Sequence, residues 1–251
     1  MDQNIAGVWS TPKLAPMYPP FPIKYKDVTI LTTVYRTDPA AIEKHIDFPV
    51  VRHGDLVMIH NYFMPLVEGM GEVEETIVMV GVKVNSRGVV HFGGFSTNLL
   101  ISSEVGLTQG REIHGQPKKM GNTKIKTVND EIVAEVFRGS NLISRVVMPV
   151  SNRKAQVKEI EKYFPFRENI NHKVIRNIDG TQGINQITSR ILSDVVVKEC
   201  WRGPSKLTIH INENAPFHLL PVLETIESFY WKADFTLIAG TILYDYLRAE
   251  A

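Results

Sequence analysis

The sequence predicts an α+β fold that is mostly antiparallel β-sheet with a few short helices. Short runs rich in valine, isoleucine and threonine recur along the 251 residues. Turn residues such as 85–88 and 139–141 separate neighbouring runs, which is the pattern of strands that follow one another in a meander. There is no internal repeat, low-complexity segment or linker, so residues 1–251 are predicted to form a single domain.

The N-terminal segment, residues 1–23, is predicted to be extended because it is rich in proline. Proline fixes φ and lacks an N–H group, so it is excluded from helix interiors and from central strands. We expect this segment to run across the surface or to cover another element. The N-terminus lacks a basic region followed by an apolar stretch. No apolar run reaches the ~20 residues of a membrane span, so the predicted location is cytoplasmic.

In the first half of the chain, the predicted strands are Val28–Tyr35, Leu56–Tyr62, Glu75–Val84 and Val89–Ser96. The last two form a hairpin around residues 85–88. A short helix is predicted at Ala40–His45, where Thr37 or Asp38 is the cap and Pro39 lies in the first turn. The segment Leu99–Val105 is predicted to be a helical turn.

In the second half, a meander is predicted over Lys124–Val128, Glu131–Arg138 and Leu142–Val150. The later strands are predicted at Val174–Ile175, Ile184–Leu192, Asp194–Glu199 and Lys206–Ile211. The C-terminal part differs: Pro221 opens the segment Val222–Ser228, and Trp231–Leu237 follows. The segment Asn152–Tyr163 is predicted to be an exposed helix or a mobile insert. The apolar tail Ala239–Leu247 is expected to pack on the sheet.

Charge and motif content exclude several classes of function. The 28 basic and 27 acidic residues give a net charge of +1, so neither nucleic acid nor a membrane surface is expected as a partner. The single cysteine, Cys200, cannot form an internal disulfide. The histidines are scattered without ligand spacing, and no phosphate loop, dinucleotide fingerprint or G-x-S-x-G motif occurs. No metal and no cofactor are therefore predicted.

One stretch, residues 110–121, has the composition of a reactive site. It contains Lys118 and Lys119 directly after Pro117, and glycines stand at positions 110, 115 and 121. Glycine permits positive φ and close backbone approach. Proline biases Gln116 toward an extended conformation. Most Lys-Lys pairs are simply solvated, but this pair is predicted to leave a rigid, extended segment that positions an amine.

Lys118 is the strongest candidate for a nucleophile. An ordinary lysine with a pKa near 10.4 has well under ~1% neutral amine at pH 7, so its pKa must be lowered. Burial and a neighbouring cation both do this. Burial is expected to be the larger cause, with Arg111 or Lys119 secondary. Because adjacent residues on a strand point to opposite faces, Lys119 is expected to aim away from Lys118.

An acid-rich stretch, residues 68–75, precedes a predicted strand. Its ordinary interpretation is a solvated loop, and its functional interpretation is that one carboxylate turns inward to move protons. Alternation places Glu74 and Thr76 on one face of the strand, and Glu75 and Ile77 on the other. The residues alone do not choose between these faces.

The stretch Gly110-Arg111-Glu112, followed by Pro117-Lys118-Lys119-x-Gly121, resembles the signature of the acetoacetate decarboxylase family. Further segments that resemble this family are residues 34–38 (VYRTD), 201–207 (WRGPSKL), 220–222 (LPV) and 244–247 (YDYL). The resemblance covers nearly the whole chain in the family's order.

The resemblance implies a cone-shaped β-barrel that assembles into homo-oligomers, and a Schiff base on the first lysine of the pair. It therefore implies Lys118 as the imine former, Lys119 as its companion and Glu74 as the site carboxylate, with Glu72 and Glu75 left open. Arg111, Glu112, Gln116 and Tyr246 are predicted to contribute to binding of a small keto-acid substrate. No metal or nucleotide cofactor is implied.

The sequence departs from the family pattern at two positions. Val28 stands where family decarboxylases carry an arginine for the substrate carboxylate, and Gln116 stands where an aromatic residue is frequent. The first prediction is decarboxylation of acetoacetate or a related β-keto acid. The alternative is a Schiff-base aldolase-dehydratase for pyruvate-like ketones, in which Gln116 and Tyr246 or Tyr244 orient the second substrate. A third prediction is a non-catalytic barrel that binds a small ligand, with Lys118 as counter-charge.

Overall fold

The computed structural model describes residues 8–150 and 153–248, most of which lie in strands. The strands are β1 (Ile23–Arg36), β2 (Val50–Val67), β3 (Gly71–Ser86), β4 (Val89–Ile101), β5 (Lys118–Met120), β6 (Asn122–Val128), β7 (Glu131–Arg138), β8 (Asn141–Pro149), β9 (Glu168–Arg176), β10 (Gln182–Gly203), β11 (Lys206–Ile209), β12 (Glu224–Leu237) and β13 (Thr241–Asp245). The helices are α1 (Pro39–Glu43), α2 (Glu104–Gln109) and α3 (Val157–Ile160), with a π-helical turn at Gly110–His114 and a 3-10 turn at Phe217–Leu219. The predicted class, β-rich with a few short helices, is confirmed.

The larger sheet closes on itself. Its strands follow the order β12-β1-β2-β3-β4-β9-β10, and β10 pairs again with β12. The neighbours around this ring are antiparallel except for β4 and β9. Closure removes the exposed edges of the ring strands, as in a barrel. β5 is added to β4 in parallel, and β13 is added to β10.

A second, four-stranded antiparallel sheet has the order β11-β8-β7-β6 and contains the predicted meander. It packs on the outside of the ring, where β6 contacts β2, β3 and β4. The long apolar runs of the ring strands follow from this arrangement, because both of their faces are buried.

Strand alternation divides the buried side chains of the ring into two cores. On β3, Val78 and Val80 point outward into the core shared with the second sheet. Ile77 and Met79 point into the ring. On β4, Leu100 belongs to the outer core and Leu99 to the inner one. Successive residues of a strand therefore face different surroundings, and one position decides whether a side chain reaches the inside of the ring.

Several predicted boundaries differ from the structure. The two strands predicted within 184–199 are one strand, β10, with a register shift between Ser193 and Val196. The segments Val222–Ser228 and Trp231–Leu237, for which the sequence predicted no element type, belong from Glu224 on to one strand, β12, because Phe229 and Tyr230 continue the strand pattern. The helical turn predicted at Leu99 is wrong at its start. β4 continues to Ile101 and α2 begins at Glu104, which Ser103 caps.

The predictions for the first helix, the insert and the C-terminal tail compare with the structure as follows. Asp38 caps α1 as expected, and its side chain accepts a hydrogen bond from Ala40 N at 2.9 Å. The predicted insert contains only α3, whose Val157 and Ile160 are buried. The tail residue Leu243 is buried in the outer core, as expected. Residues 1–7 of the proline-rich segment and residue 152 of the insert lie outside the described residues.

The proline-rich segment covers the π-helical turn. The Tyr18 hydroxyl donates to Glu112 Oε2 at 2.6 Å. The Phe21 ring lies 5.1 Å from the His114 ring. Residues 8–22 form neither helix nor strand, as the prolines require. Among all described residues, no helix is long and apolar enough to cross a membrane.

His60 belongs to a buried series of hydrogen bonds inside the ring. The Trp231 indole, which is only a donor, donates to Thr32 Oγ1 at 3.0 Å. The Thr32 hydroxyl is also hydrogen-bonded to His60 Nδ1, 2.8 Å away. The other ring nitrogen, Nε2, is buried without a partner among the described residues. Burial lowers the pKa of His60 from 6.5 to about 3.

His60 should make the fold sensitive to acid. The unfolded chain takes up a proton near pH 6.5, whereas the folded chain resists protonation down to about pH 3. The contribution of neutral His60 to the free energy of unfolding is thus fully present above pH 6.5, and it is lost as the pH falls from 6.5 toward 3. His60→Asn keeps an acceptor for Thr32 but does not titrate. We expect this variant to lose about 2 kcal/mol less unfolding free energy than the parent between pH 7 and pH 5, measured by urea denaturation. Equal losses in both proteins would contradict the assignment.

Candidate active site

The lysine pair is positioned by a tight reversal of the chain. α2 runs into the π-helical turn, and Gly115 then adopts φ +74° and donates its N–H to the Gly110 carbonyl. A Cβ on Gly115 would lie 2.3 Å from Cβ of Lys173 on β9, so only glycine fits there. Pro117 follows, and β5 begins at Lys118. The extended exit predicted for the lysines is confirmed by β5.

Gly110 makes room for the Lys118 side chain. A Cβ at this position would lie 2.6 Å from both Cδ and Cε of Lys118, and 2.9 Å from Oε1 of Gln116. The lysine stem therefore lies directly on the glycine backbone. Any side chain at position 110 would displace the amine from its present place.

The two lysines point in opposite directions, as predicted. Lys118 pairs with Leu99 and so faces the inside of the ring, whereas Lys119 pairs with Leu100 and faces outward. Lys118 is 7% exposed. Lys119 is exposed, and its Nζ donates to the Asn214 carbonyl at 2.9 Å. Lys119 is therefore not a neighbour of the Lys118 amine.

The carboxylate beside Lys118 is Glu75. Its Oε2 lies 2.9 Å from Lys118 Nζ, and both side chains are largely buried. The choice of Glu74 is corrected by this geometry. Glu74 lies on the outward face of β3 with Thr76, where its Oε2 accepts from Thr123 N at 3.0 Å. Glu72 is exposed.

A cavity of about 40 Å³ encloses the Lys118 amine inside the ring. Side chains from five ring strands and the lysine segment line it: Tyr25, Tyr62, Met64, Glu75, Gln116, Lys118, Arg190, Leu192, Phe235 and Leu237. Most of this wall is apolar or aromatic, so water has few partners there. A larger surface depression of about 650 Å³ lies beside Trp201, and none of the predicted site residues lines it.

Burial and charge act in opposite directions on Lys118. Burial disfavours the ammonium and lowers the pKa of Lys118 below 10.5. The Glu75 carboxylate raises this pKa, and the Arg190 guanidinium lowers it. Burial is the largest cause, as the sequence predicted. The secondary cation is Arg190, and neither Arg111 nor Lys119 is among the causes.

Arg190 is the site residue that sequence reasoning missed. It lies on β10, two residues before Leu192, and both side chains line the cavity. A strand residue shares its face with the second residue along, so Arg190 places a charge on the otherwise uncharged face of Thr188 and Leu192. That anomaly is the signal by which the sequence could have revealed it.

Arg111 and Glu112, predicted to bind substrate, lie outside the cavity. Arg111 is exposed, and its guanidinium donates to the Lys118 carbonyl at 3.3 Å. Glu112 accepts the Tyr18 hydroxyl. Both side chains therefore support the shape of the lysine segment from outside, and neither lines the cavity.

Of the other two residues predicted to bind substrate, Gln116 lines the cavity and Tyr246 does not. Gln116 is buried, lines the cavity and donates to Asn169 Oδ1 at 3.0 Å. Tyr246 lies away from the cavity, where its hydroxyl donates to the Phe48 carbonyl and its ring packs against Tyr244. Neither tyrosine is therefore placed to contact a molecule bound at Lys118.

His114 is a buried neutral neighbour of the site. Burial, together with the charges of Arg190, Lys118 and Lys173, lowers the pKa of His114 to about 3. Residues 8–150 and 153–248 contain no group of three or more His, Cys, Asp or Glu side chains suited to a metal ion. The ionisable groups lining the cavity are therefore an amine, a carboxylate, a guanidinium and two phenols.

Comparison with known proteins gives a consistent result. The family profile described as Acetoacetate decarboxylase (ADC) matches residues 8–247. Acetoacetate decarboxylase 1 of Bradyrhizobium diazoefficiens is 30% identical over 239 residues, which cover 95% of this chain and 94% of that protein. A solved acetoacetate decarboxylase structure superposes with a TM-score of 0.90 at 28% identity, over 99% of this chain and 100% of the other.

The crystal structure of acetoacetate decarboxylase from Legionella pneumophila superposes with a TM-score of 0.86 at 27% identity, over 96% of this chain and 95% of the other. The match extends over the ring, the second sheet and the lysine segment, and the named relatives are carboxy-lyases. Because the match covers residues 8–247 and the architecture is shared, this chain belongs to the acetoacetate decarboxylase family.

Proposed function

We propose that this chain decarboxylates acetoacetate or a related short β-keto acid through an imine on Lys118. The observation that carries the proposal is a lysine amine buried in an apolar cavity, 2.9 Å from one carboxylate. A cavity of about 40 Å³ favours a short acid. The single-domain, homo-oligomeric organisation implied by the resemblance is part of this proposal.

The first stage forms the imine. Glu75 first takes the proton that the Lys118 ammonium must lose to become nucleophilic. Neutral Lys118 then attacks the ketone carbon, and an amine proton moves to the oxygen to give a carbinolamine. Glu75, within hydrogen-bond reach of Nζ, donates the proton with which the hydroxyl leaves as water. The product is a protonated imine, and Glu75 is again a carboxylate. Its negative charge then faces the new cation.

The second stage breaks the carbon–carbon bond. The iminium accepts the electron pair as the bond to the carboxylate breaks, which releases carbon dioxide and leaves an enamine. The enamine carbon takes a proton that comes from water, and Glu75, Tyr25 and Tyr62 are the ionisable groups of the lining that can pass it on. Water then hydrolyses the imine and returns the amine. This sequence uses only side chains of the chain and no metal or nucleotide.

The aldolase-dehydratase alternative begins with the same imine and then needs groups that orient an aldehyde. Of the residues considered for that task, Gln116 lines the cavity, whereas Tyr244 and Tyr246 do not. Decarboxylation is therefore the better-supported function. The non-catalytic alternative needs Lys118 as the counter-charge of a ligand, but its amine is already paired with Glu75 at 2.9 Å.

Lys118 and Lys119 offer a matched pair of variants for the imine. Borohydride reduction in the presence of acetoacetate is expected to add one covalent adduct to the parent protein, at Lys118. Lys118→Arg should abolish the adduct and carbon dioxide release, because a guanidinium does not form an imine at neutral pH. Lys119→Arg should retain both, since its amine binds the Asn214 carbonyl outside the cavity. Intact mass and peptide mapping provide the measurement.

Two results would contradict the proposal in different ways. An adduct that maps to Lys119, or to no lysine, would exclude imine chemistry at Lys118. An adduct at Lys118 without carbon dioxide release from acetoacetate would retain the imine but exclude decarboxylation, and would favour the aldolase-dehydratase.

Glu75 and Glu74 offer a second pair. Glu75→Gln removes the proton-transfer group, and we expect carbon dioxide release to fall by about 10²–10⁴-fold. It also removes the carboxylate that raises the pKa of Lys118. The acid limb of the imine-trapping profile should therefore move to lower pH. Glu74→Gln keeps an oxygen acceptor for Thr123 N and should change neither quantity substantially. Steady-state rates and trapping yields against pH measure both effects. A larger loss in Glu74→Gln than in Glu75→Gln would restore Glu74 as the site carboxylate.

A further inference from the structure

Arg190 brings a cation from the far side of the ring into the Lys118 cavity. It stands on β10 opposite Asn169 of β9, and its side chain lines the cavity together with that of Leu192. Its charge acts on Lys118 and His114, whose pKa values it lowers, and on Tyr25 and Tyr62. The guanidinium is therefore close to the amine, to His114 and to the two phenols of the lining.

This guanidinium lacks a partner within residues 8–150 and 153–248. No ion pair or hydrogen bond joins its side chain to another described residue, and its Nε is buried without an acceptor. Other arginines of the chain that reach a carboxylate, such as Arg36 and Arg202, are paired. A buried, unpaired guanidinium nitrogen is costly unless an anion occupies the adjacent space.

The charges of the cavity lining do not balance. Lys118 and Arg190 are the cationic side chains, and Glu75 is the carboxylate. Glu75 is already paired with Lys118 at 2.9 Å. Arg190 is left as a planar donor that matches the two oxygens of a carboxylate. One small monoanion bound to Arg190 would balance the charges of the lining.

We propose that Arg190 binds the carboxylate of the keto acid and holds the bond that breaks next to the Lys118 imine. This proposal rests on the proposed function. With the iminium and Arg190 positive, and Glu75 and the substrate carboxylate negative, the loaded cavity is neutral. Loss of carbon dioxide leaves a ketone without an anion for Arg190, so binding to this residue favours the substrate over the product.

Arg190 would thereby take over the task that the resemblance assigns to an arginine on the first strand. That position is Val28 by ungapped alignment, and Val28 is fully buried in the inner apolar core without lining the cavity. β1 has a register shift between Tyr25 and Val28, and its nearby Lys26 is paired with Asp234 at the surface. The carboxylate contact has therefore moved from β1 to β10.

Calorimetric titration with butyrate tests the contact without needing an imine, because butyrate has a carboxylate and no ketone. The parent protein should bind butyrate, and Arg190→Gln should weaken this binding by about 30-fold or more. Arg190→Lys should retain part of it, since the charge remains. Arg145→Gln, a change in an exposed arginine on β8 that pairs with Glu135, should bind as the parent does. Thermal unfolding of each variant confirms that it is folded.

Trapping of acetone at Lys118 separates this proposal from the function on which it rests. Acetone has no carboxylate, so its trapping yield should be similar in the parent and in Arg190→Gln at the high-pH plateau of each protein. The plateau is required because loss of the Arg190 cation lets Lys118 hold its proton to higher pH.

Butyrate binding that is absent from the parent, or equal in the parent and Arg190→Gln, would overturn the role of Arg190. A parallel loss of acetone trapping would reassign Arg190 to positioning of the lysine. Absence of acetone trapping in the parent would overturn only the imine.

Discussion

The ion pair between Lys118 and Glu75 is the interaction on which the site depends. A buried ammonium without a counter-charge is costly. A carboxylate that stabilises this ammonium too strongly, however, leaves no neutral amine to act as the nucleophile. At an effective dielectric of ~20, charges 4 Å apart attract by about 4 kcal/mol, which corresponds to about three pKa units. Burial shifts a lysine by a similar amount in the other direction. Burial is the larger of the two effects here and the Arg190 cation acts in the same direction, so the Lys118 pKa is lowered.

The fold creates this balance through strand alternation. Lys118 reaches the inside of the ring because it pairs with Leu99, while Lys119 pairs with Leu100 and reaches the outside. Glu75 shares the inner face of β3 with Ile77, and Glu74 does not. Gly110 provides the space through which the lysine stem passes. A shift of one residue in β3 or β5 would therefore exchange the site residues for their neighbours.

Much of this could be predicted from the sequence, within a clear physical limit. The β-branched runs located most strands, and the glycines and proline of residues 110–121 indicated the rigid lysine segment. Alternation alone predicted that Lys119 would point away from Lys118. It also separated Glu74 from Glu75, but it did not say which face of β3 lies inside the ring, because that depends on closure through the pairing of β10 with β12.

Arg190 and Tyr246 are two residues whose position relative to the cavity could not be predicted from local sequence. Arg190 is 72 positions from Lys118 in the sequence, and only ring closure brings it to the amine. Tyr246 belongs to a segment that resembles the family, yet its hydroxyl is bound to the Phe48 carbonyl outside the cavity. Local pattern predicts the face of a strand on which a residue lies. The identity of the residues that share one cavity depends on contacts distant in sequence.

The central claim is that Lys118 has a lowered pKa in the resting protein. It is tested most directly by following the ¹⁵Nζ resonance of Lys118 against pH in lysine-labelled protein, with the signal assigned by its absence from Lys118→Arg. The structure predicts a titration midpoint clearly below the ordinary value of 10.5. A midpoint at or above that value would show that Glu75 outweighs burial and Arg190, and would contradict the account.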